Sequence, residues 1–90
     1  MLERTIELKF VKEVKKAGGI ALKLICPGLI GMPDRLVLMP HGKVFFAEMK
    51  VPGQKPRPVQ VKRHGMLRKL GFKVYVVDSL DVIPNEIHTS

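Results

Sequence analysis

Apolar residues recur with two different periods along the first half of the chain. Over residues 5–19 they fall on one face of a helix, and the lysines lie mostly outside that face. This apolar stripe consists of Ile6, Phe10, Val11, Val14 and Ala17. Residues 20–26, 34–39 and 43–50 are instead apolar runs of strand length, separated by turns and loops that contain glycine and proline. The pattern therefore predicts a helix that starts at Thr5 or earlier, followed by three strands.

The second half of the chain predicts a second helix and a fourth strand. Pro58 suits the first turn of a helix over residues 59–70, which Gly71 ends, and residues 72–78 form another apolar run. The short turn before the third strand favours an antiparallel hairpin between the second and third strands. The order α-β-β-β-α-β then gives a single α/β domain over residues 1–90, with a mixed β-sheet flanked by helices.

Composition places the chain among globular proteins. Of 90 residues, 46% are hydrophobic and 27% are charged, and no apolar run is long enough to span a bilayer. Cys26 is the only cysteine, so an internal disulfide and a metal site built on several thiolates are both excluded. We expect an intracellular protein with a reduced thiol, in the cytoplasm or associated with the nucleoid.

The charge of the chain indicates the kind of partner. Sixteen Lys and Arg residues against eight Asp and Glu residues give a formal net charge of +8. Such an excess in a short chain favours a polyanionic partner, nucleic acid before an anionic membrane, although a merely solubilising surface has the same composition. The cations expected to contact nucleic acid are Lys9, Lys55, Arg57, Lys62 and Arg63.

Three charged residues stand at the margins of the predicted hairpin. Glu48 and Lys50 project from one face at the end of the third strand, and Asp34 begins the second strand. Pairing about His41-Gly42 makes residues 34 and 49 symmetric and so places residue 34 roughly opposite residues 48 to 50. This brings two carboxylates and an ammonium to one edge of the sheet. Carboxylates this close repel each other unless a cation joins them, and Mg²⁺ and Mn²⁺ prefer hard oxygen ligands. A salt bridge at a strand end is the simpler alternative.

Two further polar residues are candidates for the same site. Glu7 falls within the apolar stripe of the first helix, where an acid is uncommon unless it is paired or binds a metal. Glu3 lies one turn earlier on the same face, but Glu7 is favoured because it lies deeper in the helix. Gln60 begins the second helix, where it is either an exposed polar residue or a member of the site.

These residues, in this order, resemble the PD-(D/E)xK nuclease signature. Pro33-Asp34 precedes one strand, and Glu48-Met49-Lys50 ends the next. More narrowly, the chain resembles the stand-alone VRR-Nuc domain, the virus-type replication-repair nuclease, and the similarity covers nearly its whole length. Either dipeptide pattern alone is common by chance. The ordered set is specific, because each piece stands on the expected helix, strand or loop.

The resemblance implies a restriction-endonuclease-like core and a role for each candidate residue. A divalent metal, Mg²⁺ or Mn²⁺, would be held by Asp34, Glu48 and the backbone carbonyl of Met49. Lys50 would position or activate the attacking water and stabilise the charged transition state. Glu7 would be a further ligand, directly or through water, and Gln60 would orient the lysine or the water. His41, His64 and His88 are not expected to form a metal site with Cys26, because their spacing does not fit one.

The implied activity is a metal-dependent DNA endonuclease that acts as a homodimer on branched DNA such as four-way (Holliday) junctions, and it allows a viral origin for the gene. A nicking or flap-cutting nuclease, a non-catalytic nucleic-acid-binding module and a subunit of a larger repair assembly remain alternatives. Leu29 and Ile30 depart from the polar or basic residues expected in their loop. They could fill a dimer interface, insert against unpaired bases or pack locally.

Overall fold

The structure is a computed structural model that describes residues 2–80. Its helices and strands follow the predicted order: α1 (Glu3–Lys16), β1 (Ile20–Lys23), β2 (Arg35–Met39), β3 (Lys43–Met49), α2 (Pro58–Lys69) and β4 (Lys73–Val77). Residues 81–90, which the predicted domain included and which contain His88, lie outside the described part. Neither described helix combines the length and the apolar character needed to cross a bilayer.

The four strands form one mixed sheet in the order β1-β2-β3-β4. The first three are antiparallel neighbours, and β4 joins β3 in parallel after the crossover through α2. The predicted hairpin is observed, and its register lies at one end of the predicted range of residues 48 to 50. Because Arg35 pairs with Ala47, the register extends to Asp34 opposite Glu48 rather than opposite residue 49. The connection is a three-residue turn centred on His41, which adopts a left-handed conformation with φ 67°.

Two element boundaries differ from the prediction for identifiable reasons. Helix α1 begins at Glu3, and no side chain caps its first turn, so Thr5 is not the cap. Strand β1 ends at Lys23 rather than at residue 26. The next amide, that of Leu24, still binds the Asp34 carbonyl at 2.8 Å, and the chain then turns away towards Pro27.

The two helices cover opposite faces of the sheet. Helix α1 packs on the face formed by the main core, which consists of Ile6, Phe10, Val14, Ala21, Val37, Met39, Phe45, Ala47, Met49 and Val77. Helix α2 packs on the other face, where Leu67 contacts Phe46 and Val74. Side chains alternate along β3, so Glu48 projects to the same side as Phe46 and faces α2. The fold therefore separates Glu48 from the face that α1 covers.

Candidate active site

Asp34 is fixed by two backbone hydrogen bonds at the start of β2. Its Oδ2 accepts the Met49 amide at 2.8 Å, and its own carbonyl accepts the Leu24 amide at 2.8 Å. The first bond crosses the hairpin and the second reaches the end of β1. Asp34 is therefore held at the point where three strands meet, with its carboxylate beside the end of β3.

Glu48 is buried almost completely between β3 and α2, with 2% of its surface exposed. Gln60 Nε2 donates to Glu48 Oε2 at 3.1 Å, and Lys50 Nζ lies 3.9 Å from the same oxygen. Gln60 is itself oriented, because its Oε1 accepts the Arg57 amide at 2.8 Å in the first turn of α2. The predicted set of Asp34, Glu48, Lys50 and Gln60 thus occupies one site in the structure.

Burial is the first cause of an unusual pKa at Glu48. Desolvation, then the charge of Asp34 and a hydrogen bond to it, raise the pKa of Glu48 from 4.5 to about 8, and the charge of Glu3 adds to the increase. The ammonium of Lys50 acts in the opposite direction. Around neutral pH the carboxyl group therefore retains its proton. A cation beside it would favour the ionised form and release that proton.

One oxygen of Glu48 lacks a partner. Glu48 Oε1 is buried and accepts no hydrogen bond within the described residues, and the same holds for His64 Nε2, which lies 3.5 Å away. Buried polar atoms are nearly always satisfied, so an unsatisfied carboxylate oxygen beside a second carboxylate indicates a place for a ligand. Sequence reasoning missed His64. The available signal was its position four residues after Gln60, on the sheet-facing stripe of α2 that continues to Leu67.

Glu7 faces the sheet as predicted, but the structure does not bring it to Glu48. Arg35 binds Glu7 Oε2 through Nε at 3.1 Å and through Nη2 at 3.0 Å, and its Nη1 donates to the Ala21 carbonyl at 3.1 Å. This pair lies on the α1 side of the sheet, whereas Glu48 faces α2. Glu3, one turn earlier in α1, is the helix acid whose charge acts on Glu48.

The donors at this site fit a hard divalent cation with an incomplete protein shell. Within residues 2–80 no group of three or more His, Cys, Asp or Glu side chains is placed to hold a metal. Asp34 and Glu48 supply carboxylate oxygens, and the Met49 carbonyl would add a third. Mg²⁺ is commonly bound by one or two carboxylates together with water and substrate phosphate. The set therefore suits such an ion better than a zinc site closed by protein ligands.

Of the residues predicted to bind nucleic acid, some are exposed and others bind groups of the protein itself. Lys55, Arg57 and Lys62 are exposed along the loop before α2 and its first turns. Lys9 Nζ is 2.8 Å from Glu13 Oε1. Arg63 Nε donates to the Ile30 carbonyl at 3.0 Å and so ties the loop between β1 and β2 to α2.

The apolar residues of that loop point outwards. Ile30 is 70% exposed and Leu29 36% exposed. Local packing within residues 2–80 therefore does not account for Ile30. Contacts of Ile30 with a second subunit or with unpaired bases stay predictions.

Comparison with known proteins identifies the family. No protein-family model matches the chain. A relative named "Putative nuclease p44", from Acyrthosiphon pisum secondary endosymbiont phage 1, is 51% identical over 80 residues, which cover 89% of this chain and 86% of the relative. A solved structure described as a VRR_NUC domain is 35% identical, superposes with a TM-score of 0.82, and covers 87% of this chain and 85% of that one. The predicted resemblance is thus confirmed, and the chain is a member of the VRR_NUC nuclease family.

Proposed function

We propose that this protein is a Mg²⁺- or Mn²⁺-dependent DNA endonuclease that hydrolyses phosphodiester bonds at the Asp34–Glu48 site. The observation that supports it most directly is the Glu48 carboxyl group, which is buried, has one unpartnered oxygen and has a raised pKa beside Asp34. Such an arrangement costs stability in the absence of a cation, and strongly perturbed groups of this kind concentrate at functional sites.

The proposed roles follow from the chemistry of each group. Asp34, Glu48 and the Met49 carbonyl would hold the ion, which supplies positive charge to phosphate oxygens and lowers the pKa of bound water. Lys50, whose ammonium is close to Glu48, positions the attacking water and offsets negative charge as it develops on the phosphate. Gln60 holds Glu48 Oε2 and thereby keeps the carboxylate in place.

Two proposed roles differ from those that the resemblance implied. Gln60 orients Glu48 rather than the lysine or the water, and the helix acid changes as well. Arg35 occupies the carboxylate of Glu7, whereas the charge of Glu3 raises the pKa of Glu48. The Arg35 pair and the charge of Glu3, which is the weakest of the influences that raise the pKa of Glu48, support Glu3 as the acid of α1 that acts on the site. Glu7 then serves chiefly to join α1 to β2 through Arg35.

The proposed substrate is branched DNA, including four-way junctions, cut by a homodimer. A net charge of +8 and exposed cations beside the site favour binding to phosphates without regard to sequence. A two-fold dimer would present two sites to a two-fold junction and so favour paired nicks. Similarity to a phage protein supports a viral origin for the gene.

Cleavage of an end-labelled four-way junction tests this proposal. Linear duplex, a flap and a single strand would be assayed beside it with Mg²⁺, Mn²⁺ or chelator, and sedimentation would give the oligomeric state. Lys50→Ala should abolish cleavage, while Lys12→Ala removes an exposed cation of α1 and should not. We expect paired nicks on the junction that depend on metal.

The other outcomes separate the alternatives. Metal-dependent cutting confined to flaps or single nicks would show that four-way junctions are not the substrate, but it would support the proposed active site. Binding without cleavage under every metal condition would leave a basic nucleic-acid-binding module and overturn the nuclease assignment for this chain.

A further inference from the structure

Helix α2 presents two polar side chains to the two oxygens of Glu48. Gln60 and His64 are one helical turn apart, and both are buried, with 5% and 2% of their surfaces exposed. Gln60 donates to Oε2 at 3.1 Å, while His64 Nε2 lies 3.5 Å from Oε1. Leu67, on the next turn, packs on Phe46 and Val74 and fixes the helix against the sheet. The position of His64 over Oε1 is therefore set by packing.

The contact between His64 and Glu48 is incomplete. Both atoms are buried without a hydrogen-bond partner in the described part of the chain, and 3.5 Å is too long for a good bond between nitrogen and oxygen. The gap is small enough for a side-chain adjustment to close it.

We propose that His64 is a positioning residue that donates Nε2–H to Glu48 Oε1 and, with Gln60 on Oε2, fixes the carboxylate for metal binding. This inference rests on the proposed function. An oxygen of a carboxylate has two lone pairs, so accepting the imidazole hydrogen would leave Oε1 a second lone pair for a cation. Hydrogen bonds to ligating carboxylates orient them, and losing one typically costs 10- to 100-fold in metal affinity.

The role requires a neutral imidazole. A neutral imidazole with its hydrogen on Nε2 donates to Oε1 without adding a buried positive charge beside the cation. It is a hydrogen-bond donor only, and no proton needs to move.

Two substitutions separate a donor from a packing residue. His64→Leu keeps the buried volume but removes the donor, and it should leave the melting temperature in chelator unchanged or higher, since an unsatisfied buried donor is lost. His64→Gln restores an N–H of similar reach. Val61→Gln, at an exposed position of α2, is the matched control.

The readout is the Mn²⁺ concentration that gives half of the metal-induced rise in melting temperature. We expect this concentration to increase about 10- to 100-fold in His64→Leu, to return to within about threefold of wild type in His64→Gln, and to stay unchanged in Val61→Gln. The Kd for junction DNA in chelator should be the same in all four proteins.

Two results would overturn the assignment of His64. An unchanged Mn²⁺ concentration for half of the rise in His64→Leu would show that the imidazole does not act on the metal site. Equal increases of this concentration in His64→Leu and His64→Gln would show that His64 is a packing residue. A normal metal response in the wild type would leave the nuclease proposal standing in both cases. Absence of any metal response in the wild type would instead remove the metal site, and this inference with it.

Discussion

Glu48 brings a carboxyl group into a part of the sheet that water scarcely reaches. Its neighbours on β3, Ala47 and Met49, pack into the α1 core, and Phe46 packs under α2. A carboxylate in such surroundings is costly unless it is paired, so its proton is retained instead. Burial therefore raises the pKa of Glu48, and this makes the free energy of unfolding of the metal-free protein depend on pH.

The first prediction concerns this pH dependence. The folded protein keeps the Glu48 proton up to about pH 8, whereas the unfolded chain releases it near 4.5, so the stabilisation is present at low pH and is lost as the pH rises through 8. In chelator the free energy of unfolding should fall by on the order of 1 kcal/mol between about pH 7 and about pH 9. Glu48→Gln should lack this decrease. Urea denaturation measures both proteins.

The chosen pH range keeps His64 out of the measurement. The pKa of His64 is lowered below its usual 6.5, so its contribution changes only as the pH falls below that value. Equal slopes in wild type and Glu48→Gln would show that Glu48 ionises in the folded state as it does in the unfolded chain.

A second prediction at the scale of single residues concerns Asp34. If Asp34 and Glu48 share a cation, adding Mn²⁺ should raise the melting temperature, because the ion binds the folded protein preferentially. At about 100 times the dissociation constant, the stabilisation is about 2.7 kcal/mol. Asp34→Ala should abolish this response. An unchanged melting curve in wild type over a wide range of Mn²⁺ would count against the metal site.

At the scale of elements, one side chain joins a helix and two strands. Arg35, on β2, binds Glu7 of α1 and the Ala21 carbonyl of β1. The ion pair is partly buried, with 16% and 25% of the two side chains exposed, so solvent screens it only in part. Through this contact Glu7 joins α1 to β2 on the α1 side of the sheet. In the proposed assignment, Glu3, at the start of the helix, is the acid that acts on the site.

The two acids of α1 should therefore respond differently to substitution. Glu7→Gln weakens the contact with Arg35 and should therefore lower the free energy of unfolding by about 1 kcal/mol. It should not change the Mn²⁺ concentration that gives half of the rise in melting temperature (the Mn²⁺ half-point). Glu3→Gln should shift the half-point about threefold with little change in stability, since it removes a charge that acts on Glu48. Thermal titrations with Mn²⁺ measure both quantities. The opposite pattern would return the catalytic role to Glu7.

The loop before Asp34 is held against α2 by a close approach that only glycine allows. Gly31 has φ +85°, and a Cβ there would lie 2.6 Å from the Val59 carbonyl oxygen. Gly31→Ala should therefore cost on the order of 1–3 kcal/mol and weaken the Mn²⁺ response by displacing Asp34. Gly28→Ala, in the same loop with open space around it, is the control and should change stability little. Similar losses in both variants would refute the explanation.

At the scale of the whole molecule, the protein combines a net positive charge with an acidic site formed by Asp34 and Glu48. Lys55, Arg57 and Lys62 are exposed in and beside the loop that leads into α2, the helix whose first turn carries Gln60. Phosphates drawn to these cations would approach the same end of α2 that holds Glu48. Because such contacts release counterions, binding should depend steeply on salt.

Salt dependence gives the prediction at this scale. Replacing Lys55 and Lys62 together by Gln should reduce the slope of log K against log salt by about 2, if each lysine contacts one phosphate, and should weaken binding to all sequences alike. Replacing Lys12 and Lys16 of α1 by Gln removes the same charge elsewhere and should leave most of the slope. Fluorescence anisotropy in chelator avoids cleavage. Equal reductions in both double variants would mean that only the total charge matters.

The sequence by itself determined the element order and identified four residues that the fold brings together, Asp34, Glu48, Lys50 and Gln60. Helical and strand periods depend on neighbouring residues, and the symmetry of a short hairpin placed Asp34 opposite residues 48 to 50, a range that includes its observed neighbour Glu48. The turn selects the position within that range, because its centre is His41 and no periodicity reveals its left-handed conformation. The position of Gln60 beside the proline that begins α2 left an exposed polar residue as an equal alternative, and the resemblance to the VRR-Nuc domain added Gln60 to the site.

Only the tertiary structure decided which groups meet across the sheet. The pattern of each helix alone would allow it to cover either face of the sheet. The faces that the two helices cover in the structure place Glu7 beside Arg35 on one side and Glu48 beside His64 on the other. It depends on the crossover of α2 and on packing between residues far apart in the chain, such as Leu67 on Phe46. Local patterns identify the acids that are candidates for the site, and long-range packing determines which of them lose water and which are neutralised.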